Sequence, residues 1–190
     1  MNTTRSATIV CFPLLSLLLP FLFSGCLVSE TTQFTVTMND DGKSGTIVTV
    51  MRNIQSDDSD PEKQERDFEE VLRWWKGDDY LLERMHDGLY VKERKLGLEQ
   101  DSLLWQETAI FSDLTDVFKR DFRNDTLRFA IGEDQRIVAT NGTVVKENDS
   151  TLVYWALPGT RTLSLTMKTG SFTVKSNFAE RFRKYLKENG

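Results

Sequence analysis

The residues able to do chemistry are few. The 190-residue chain has one histidine, His86, and two cysteines, Cys11 and Cys26. A single histidine leaves no basis for a Cys/His metal site or for Cys–His catalysis. A Ser/His/acid triad would have to use His86, which sits in Arg84-Met85-His86-Asp87-Gly88, a turn-like stretch, and no serine lies in a nucleophile-elbow context. No glycine-rich phosphate loop is present, and nothing calls for a metal or cofactor. Carboxylates remain: two of them suffice for glycoside hydrolysis, but among 29 acidic residues a pair identifies nothing without geometry. Four tryptophans complete the inventory. Trp75, Trp105 and Trp155 fall on apolar stripes and read as core. Trp74 precedes Trp75 in a helical stretch and points about 100° away from it, which makes it the best candidate for a ligand or partner contact.

The cysteines lead to the N-terminal segment. Arg5 is the one charged side chain before Cys26, and Ala7 to Phe23 is apolar except for Thr8 and Ser16. A positive start, an apolar run broken by Pro13 and Pro20, and the small residues Ser24-Gly25 describe an export signal rather than a spanning helix. Phe23-Ser24-Gly25-Cys26 resembles the lipobox of bacterial lipoproteins, with Phe23 where leucine is commonest. The resemblance implies that residues 1–25 are removed, that Cys26 is acylated, and that the protein is a membrane-anchored component of the bacterial cell envelope. Two or three acyl chains on one residue hold stably, whereas one holds marginally. Under the common sorting rule of Gram-negative cells, Leu27 in place of an aspartate points to the outer membrane. The alternatives are a plain secretory signal or a retained anchor helix.

The 165 residues from Cys26 onward carry 23 Lys and Arg against 29 Asp and Glu. That balance excludes a general nucleic-acid binder, because phosphate binding needs a basic surface, and the length suits one domain with its own core. Residues 26–32 read as a polar tether and residues 33–190 as a single α+β domain.

Alternation and turn residues give the elements. Gln33 to Asn39 and Thr46 to Ile54 form a hairpin around Asn39-Asp40-Asp41-Gly42-Lys43-Ser44-Gly45. Fitting an EF-hand to that turn puts Thr37 at the first ligand position and Val48 where the bidentate glutamate belongs, so it reads as a bare turn. Asp60 and Pro61 begin a helix with Phe68, Val71, Leu72 and Trp75 on one stripe, ended by Gly77. Asp78 to Asp87 is ambiguous, with Tyr80, Leu81, Leu82 and Met85 as its apolar residues. Gly88 to Leu98 and Leu103 to Phe111 read as strands, and a short helix follows Asp113. Strands then follow at Thr126 to Ile131, Arg136 to Thr140, Thr143 to Lys146, Thr151 to Leu157, Thr162 to Met167 and Ser171 to Lys175. Asn141-Gly142 between two of them signals a tight hairpin turn. A helix from Asn177 to Lys187 closes the chain. Eight acids lie between Asp57 and Glu70, while six Lys and Arg against two Glu lie from Lys168 on. The basic end can pair with the acidic helix or lie on an anionic membrane. Asp101-Ser102-Leu103, Asp125-Thr126-Leu127 and Asp149-Ser150-Thr151 resemble the short pattern glycosylated on exported proteins of some Bacteroidota.

Arg136-Ile137-Val138-Ala139-Thr140-Asn141-Gly142, then Leu152-Val153-Tyr154-Trp155, then Leu163-Ser164-Leu165 resembles a pattern in several families of bacterial lipoproteins, including mycobacterial LppM-like proteins. Gln33 to Ile54 is similar to their early part. The resemblance covers about 60 of the 165 residues and implies a curved antiparallel sheet built from hairpins, packed with an N-terminal-half helix and a C-terminal helix, held at a membrane by lipid. The expected function is a non-enzymatic binding or interaction module with an envelope protein or lipid as partner. A carrier of lipid or another apolar ligand, in a cavity between sheet and helices, and a carboxylate-dependent hydrolase of envelope material are the alternatives.

Overall fold

The structure is a computed structural model that describes residues 27–118, 122–123, 125–147, 150–170, 176 and 178–189. The leader, Cys26, the Asn148-Asp149 turn and the Ser171 to Lys175 strand lie outside the described residues.

The chain is α+β. In sequence order it forms β1 (Leu27–Met38), β2 (Gly45–Ser56), α1 (Pro61–Lys76), α2 (Asp78–His86), β3 (Tyr90–Glu99), β4 (Ser102–Phe111), α3 (Leu114–Val117), β5 (Phe122–Arg123), β6 (Thr126–Ile131), β7 (Gln135–Thr140), β8 (Thr143–Glu147), β9 (Ser150–Ala156), β10 (Thr162–Thr169) and α4 (Phe178–Asn189). The strands make a six-stranded sheet, ordered β3-β4-β2-β1-β10-β7, and a four-stranded sheet, ordered β5-β6-β9-β8. Every pairing among the described residues is antiparallel.

Local chemistry sets the element ends. Asp60 caps α1, its Oδ1 accepting from Glu62 N at 2.9 Å, and Pro61 occupies the first helical position. Asp113 caps α3 in the same way, accepting from Thr115 N at 2.8 Å. The β1–β2 turn is closed by Asp41, whose carboxylate accepts from Lys43 N, Ser44 N and the Ser44 hydroxyl. Its acid is therefore used inside the turn, as a bare turn requires.

One face of the larger sheet carries the core. Phe34, Val36 and Met38 on β1, Ile47 and Met51 on β2, and Leu103, Trp105, Glu107, Ala109 and Phe111 on β4 alternate inward and are buried. Toward the β1–β2 turn, this face is covered by the smaller sheet, which contributes Leu127, Phe129, Ile131, Val153 and Trp155. Toward the start of β1 it is covered by helices, through Phe68, Val71 and Trp74 of α1, Tyr80 of α2, and Phe178 and Phe182 of α4.

Two expectations about connectivity change. Residues 27–32 are strand rather than tether: β1 starts at Leu27, opposite Ser56, and the pairing with β2 continues to Met38. Residues 28–32 look like linker because they are polar, yet Glu30 is held by Lys168 at 2.7 Å and by Asn53 Nδ2 at 3.0 Å. Asn141-Gly142 does not turn a hairpin either. β7 belongs to the larger sheet and β8 to the smaller, so this dipeptide is where the chain changes sheet.

Candidate functional site

Polar side chains converge under α2. This nine-residue helix places Tyr80 and Arg84, four apart and hence on one face, against Glu107 of β4. The Tyr80 hydroxyl donates to Glu107 Oε2 at 2.5 Å, and Arg84 donates to Oε1 from Nε at 3.1 Å and from Nη2 at 2.8 Å. Glu107 is 2% exposed and Arg84 4%. Burial, with the Glu107 charge second, pushes the Tyr80 phenol well above its ordinary range, so it remains a proton donor. Burial works against the charge on Arg84, but Glu107, Tyr80 and Asp87 together more than offset it and the net shift is upward.

A second tier holds the helix junction. Arg94, paired across the strands with Glu107, donates from Nη1 to Trp74 O at 2.9 Å and to Gly77 O at 2.7 Å, satisfying carbonyls at the end of α1. Arg73 bridges Glu70, Asp79 and Glu83 on the outer side, tying α1 to α2.

Trp74 is 0% exposed, which removes it as a surface contact. Its ring lies 6.4 Å from that of Trp105 and 6.5 Å from that of Tyr80, and its indole N–H donates to Glu70 Oε1 at 2.8 Å. The face of α1 that meets the sheet is Asp67, Phe68, Val71 and Trp74, rotated by about one residue from the stripe read in the sequence. Trp75 is half-buried against Phe182 of α4, ring centroids 5.6 Å apart. His86 is exposed at the end of α2. Cys26 lies outside the described residues, but the chain it must attach to is fixed at Leu27.

Two further polar groups stand apart. Asp67 of α1 is buried, and its Oδ2 has no hydrogen-bond partner. Asp57, at the end of β2, has its carboxyl raised by partial burial and then by the charges of Asp58 and Asp67. Among the described residues, no three His, Cys, Asp or Glu side chains come together in a way that could hold a metal ion.

Two of the basic side chains at the end of the chain are paired, one of them with the acidic helix. Arg181 pairs with Glu65 of α1, and Arg183 pairs with Asp101 of the β3–β4 turn at 2.5 Å.

Asn141 organises the sheet junction. Its Oδ1 accepts from Trp155 Nε1 and from Ser164 N, each at 2.8 Å, and its Nδ2 donates to Thr162 O at 2.7 Å. One side chain thus links β9 of the smaller sheet to β10 of the larger. Gly142 leaves the space that Trp155 needs: a Cβ there would stand 2.5 Å from Val153 Cγ1 and 2.7 Å from Trp155 Cε2. The Asn-Gly…Trp pattern is therefore a structural joint in this chain.

The sequence did hold a signal for the buried cluster. Glu107 lies in phase with Leu103, Trp105, Ala109 and Phe111, and an acid on an apolar phase marks a carboxylate that needs buried partners. Tyr80 and Arg84 had no such mark, because α2 buries them and exposes Leu82 and Met85.

The geometry defines an α+β protein with two antiparallel sheets and a sealed ionic cluster between sheet and helix. No protein-family model matches the chain, and neither a curated protein nor a solved structure does.

Proposed function

We propose that the chain is a lipid-anchored protein of the bacterial envelope whose domain is a non-enzymatic interaction module. The observation that carries this reading is the coincidence of two boundaries. The lipobox-like Phe23-Ser24-Gly25-Cys26 ends one residue before Leu27, where the strand ladder begins. A cut before Cys26 would leave every described pairing intact and an acylable cysteine directly at the edge of the fold. Among the described residues no helix is long and apolar enough to cross a membrane, which is compatible with attachment through Cys26.

The polar chemistry favours binding over catalysis. Tyr80, Arg84 and Glu107 are saturated by one another and sealed from solvent, and they act as a fastener between α2 and β4. A carrier would need room between sheet and helices, where Phe68, Trp74, Tyr80, Trp105, Phe178 and Phe182 pack instead. The contact surface moves from Trp74 to the outer side of α2, where Leu82 is 64% and Met85 51% exposed.

Replacing Cys26 with alanine should release the protein from membranes in cell fractionation. Persistent association after a high-salt wash would contradict the anchor. Crosslinking from position 86, exposed at the end of α2, should capture an envelope protein in intact cells, and the capture should be lost in Leu82→Asp/Met85→Asp. Capture unchanged in that variant would remove α2 as the contact surface.

A further inference from the structure

We infer that Asn141 is a self-modifying site gated by folding. It stays an amide while the sheet junction is closed. When the junction is open it converts to aspartate or isoaspartate, and neither product can rebuild the junction. The chemistry belongs to the dipeptide Asn141-Gly142. Glycine has no Cβ, so its amide nitrogen can approach the preceding asparagine side chain closely. The Gly142 nitrogen attacks Asn141 Cγ and a new C–N bond forms. The Cγ–Nδ2 bond breaks, and Nδ2 leaves as ammonia, taking the proton of the Gly142 N–H. Water then opens the cyclic imide at one carbonyl or the other, giving aspartate or isoaspartate.

The closed junction restrains both reacting groups. Gly142 N, the nucleophile, donates to Thr140 Oγ1 at 3.0 Å, and that hydroxyl is itself fixed by donating to Ser164 O at 2.8 Å. Cγ, the electrophile, sits between two anchored atoms: Oδ1 accepts from Trp155 Nε1 and Ser164 N, and Nδ2 donates to Thr162 O. Swinging Cγ onto Gly142 N gives up all three bonds. At the usual net worth of such bonds, the reactive arrangement is roughly tenfold to hundredfold rarer than in the unfolded chain. Neither half of the dipeptide is free to change. The asparagine supplies both a donor and an acceptor, and a Cβ at position 142 would stand 2.5 Å from Val153 Cγ1. The products fail for separate reasons. In aspartate a carboxylate oxygen replaces Nδ2 opposite Thr162 O, setting acceptor against acceptor. In isoaspartate the main chain gains a methylene where it passes from β7 of the larger sheet to β8 of the smaller, and the remaining carboxylate is one carbon shorter in its reach toward Trp155.

The chain carries its own reference. Asn-Gly recurs at Asn189-Gly190, where Asn189 is exposed at the end of α4 and its Nδ2 donates locally to Tyr185 O at 3.0 Å. The protein is incubated in mildly alkaline buffer, folded and in urea, and aspartate and isoaspartate are counted at both sites by peptide mapping. Asn141 should convert roughly tenfold or more slowly in the folded protein than in urea, and Asn189 at similar rates in both. Trp155→Phe removes one restraining bond and leaves the local sequence unchanged. It should speed Asn141 conversion in the folded protein and leave the rate in urea as it was. On dilution from urea, chains converted at position 141 should collect in the protease-sensitive fraction, a readout that uses the unaltered sequence and does not depend on the variant folding. Equal folded and unfolded rates at Asn141, no conversion in urea, or an unchanged folded rate in Trp155→Phe would overturn the gating. Converted and unconverted chains that refold equally would overturn the consequence for the junction.

Discussion

The two halves of the core are built on opposite principles. Between the sheets, the buried side chains are apolar, and Phe34 packs 5.3 Å from Phe129 and 6.2 Å from Trp155. Beneath the helices, aromatic packing is equally dense, but Asp67, Arg84 and Glu107 are buried within it. A sheet laid on a sheet is positioned by alternation along many strands. Short helices laid on a sheet can slide, and directional bonds from Glu107 to Tyr80 and Arg84, with Arg94 at the α1 end, fix where they sit. The sandwich half should therefore tolerate repacking at constant volume, while the helical half should be intolerant of losing one partner.

The largest difference should appear at Glu107. Glu107→Ala strands the Arg84 charge in the core and should cost about 3–5 kcal/mol in urea unfolding. Replacing the cluster as a unit, Glu107→Leu with Arg84→Met and Tyr80→Phe, should recover most of that loss, since swapping a buried ionic cluster for apolar groups is often neutral or stabilising. Failure of the triple variant to recover would mean the cluster does more than position α2.

Next in size is the sheet junction. Asn141→Ala removes three hydrogen bonds and leaves the Trp155 N–H without its acceptor, which should cost about 1–3 kcal/mol. Trp155→Phe in that background should then cost little more, because the two residues act as one unit.

Tyr80 gives the comparison a pH dependence. Its folded-state pKa lies above the unfolded value near 10. The corresponding stability is therefore fully present below about pH 10 and is lost as pH rises beyond it. Tyr80→Phe should be less stable at neutral pH and lose less stability on going to alkaline pH, measured by chemical denaturation at each pH. Asp67→Leu should act in the opposite direction to these losses and raise the neutral-pH midpoint, because it removes a buried polar group whose Oδ2 has no partner. The smallest effect belongs to the surface: Arg52→Ala, which breaks an exposed pair with Glu99, should stay within about 1 kcal/mol.

The same contrast explains what the sequence made legible. Strands of the sandwich half announce themselves by alternation, and β6, β7, β8, β9 and β10 appear within a few residues of their expected bounds. The caps Asp60 and Asp113 were readable because capping is local. What escaped depends on partners distant in sequence. Residues 28–32 became strand because β2 and Lys168 lie beside them. Trp74 rather than Trp75 entered the core because α4 occupies the flank of α1 where Trp75 sits. Asn141-Gly142 carries the local chemistry of a hairpin turn, yet Trp155 and the β10 backbone claim the asparagine for a sheet crossing. Of the site, Glu107 was visible in phase, whereas Tyr80 and Arg84 lay in a helix whose exposed Leu82 and Met85 look more apolar than its buried side.

The proposed function rests on the proposed anchor at Cys26. Mass spectrometry of the N-terminal peptide from membrane-extracted protein tests it directly. The account predicts that the mature chain begins at Cys26 and carries the added mass of two or three acyl chains. A chain that begins elsewhere, or an unmodified Cys26, would contradict it.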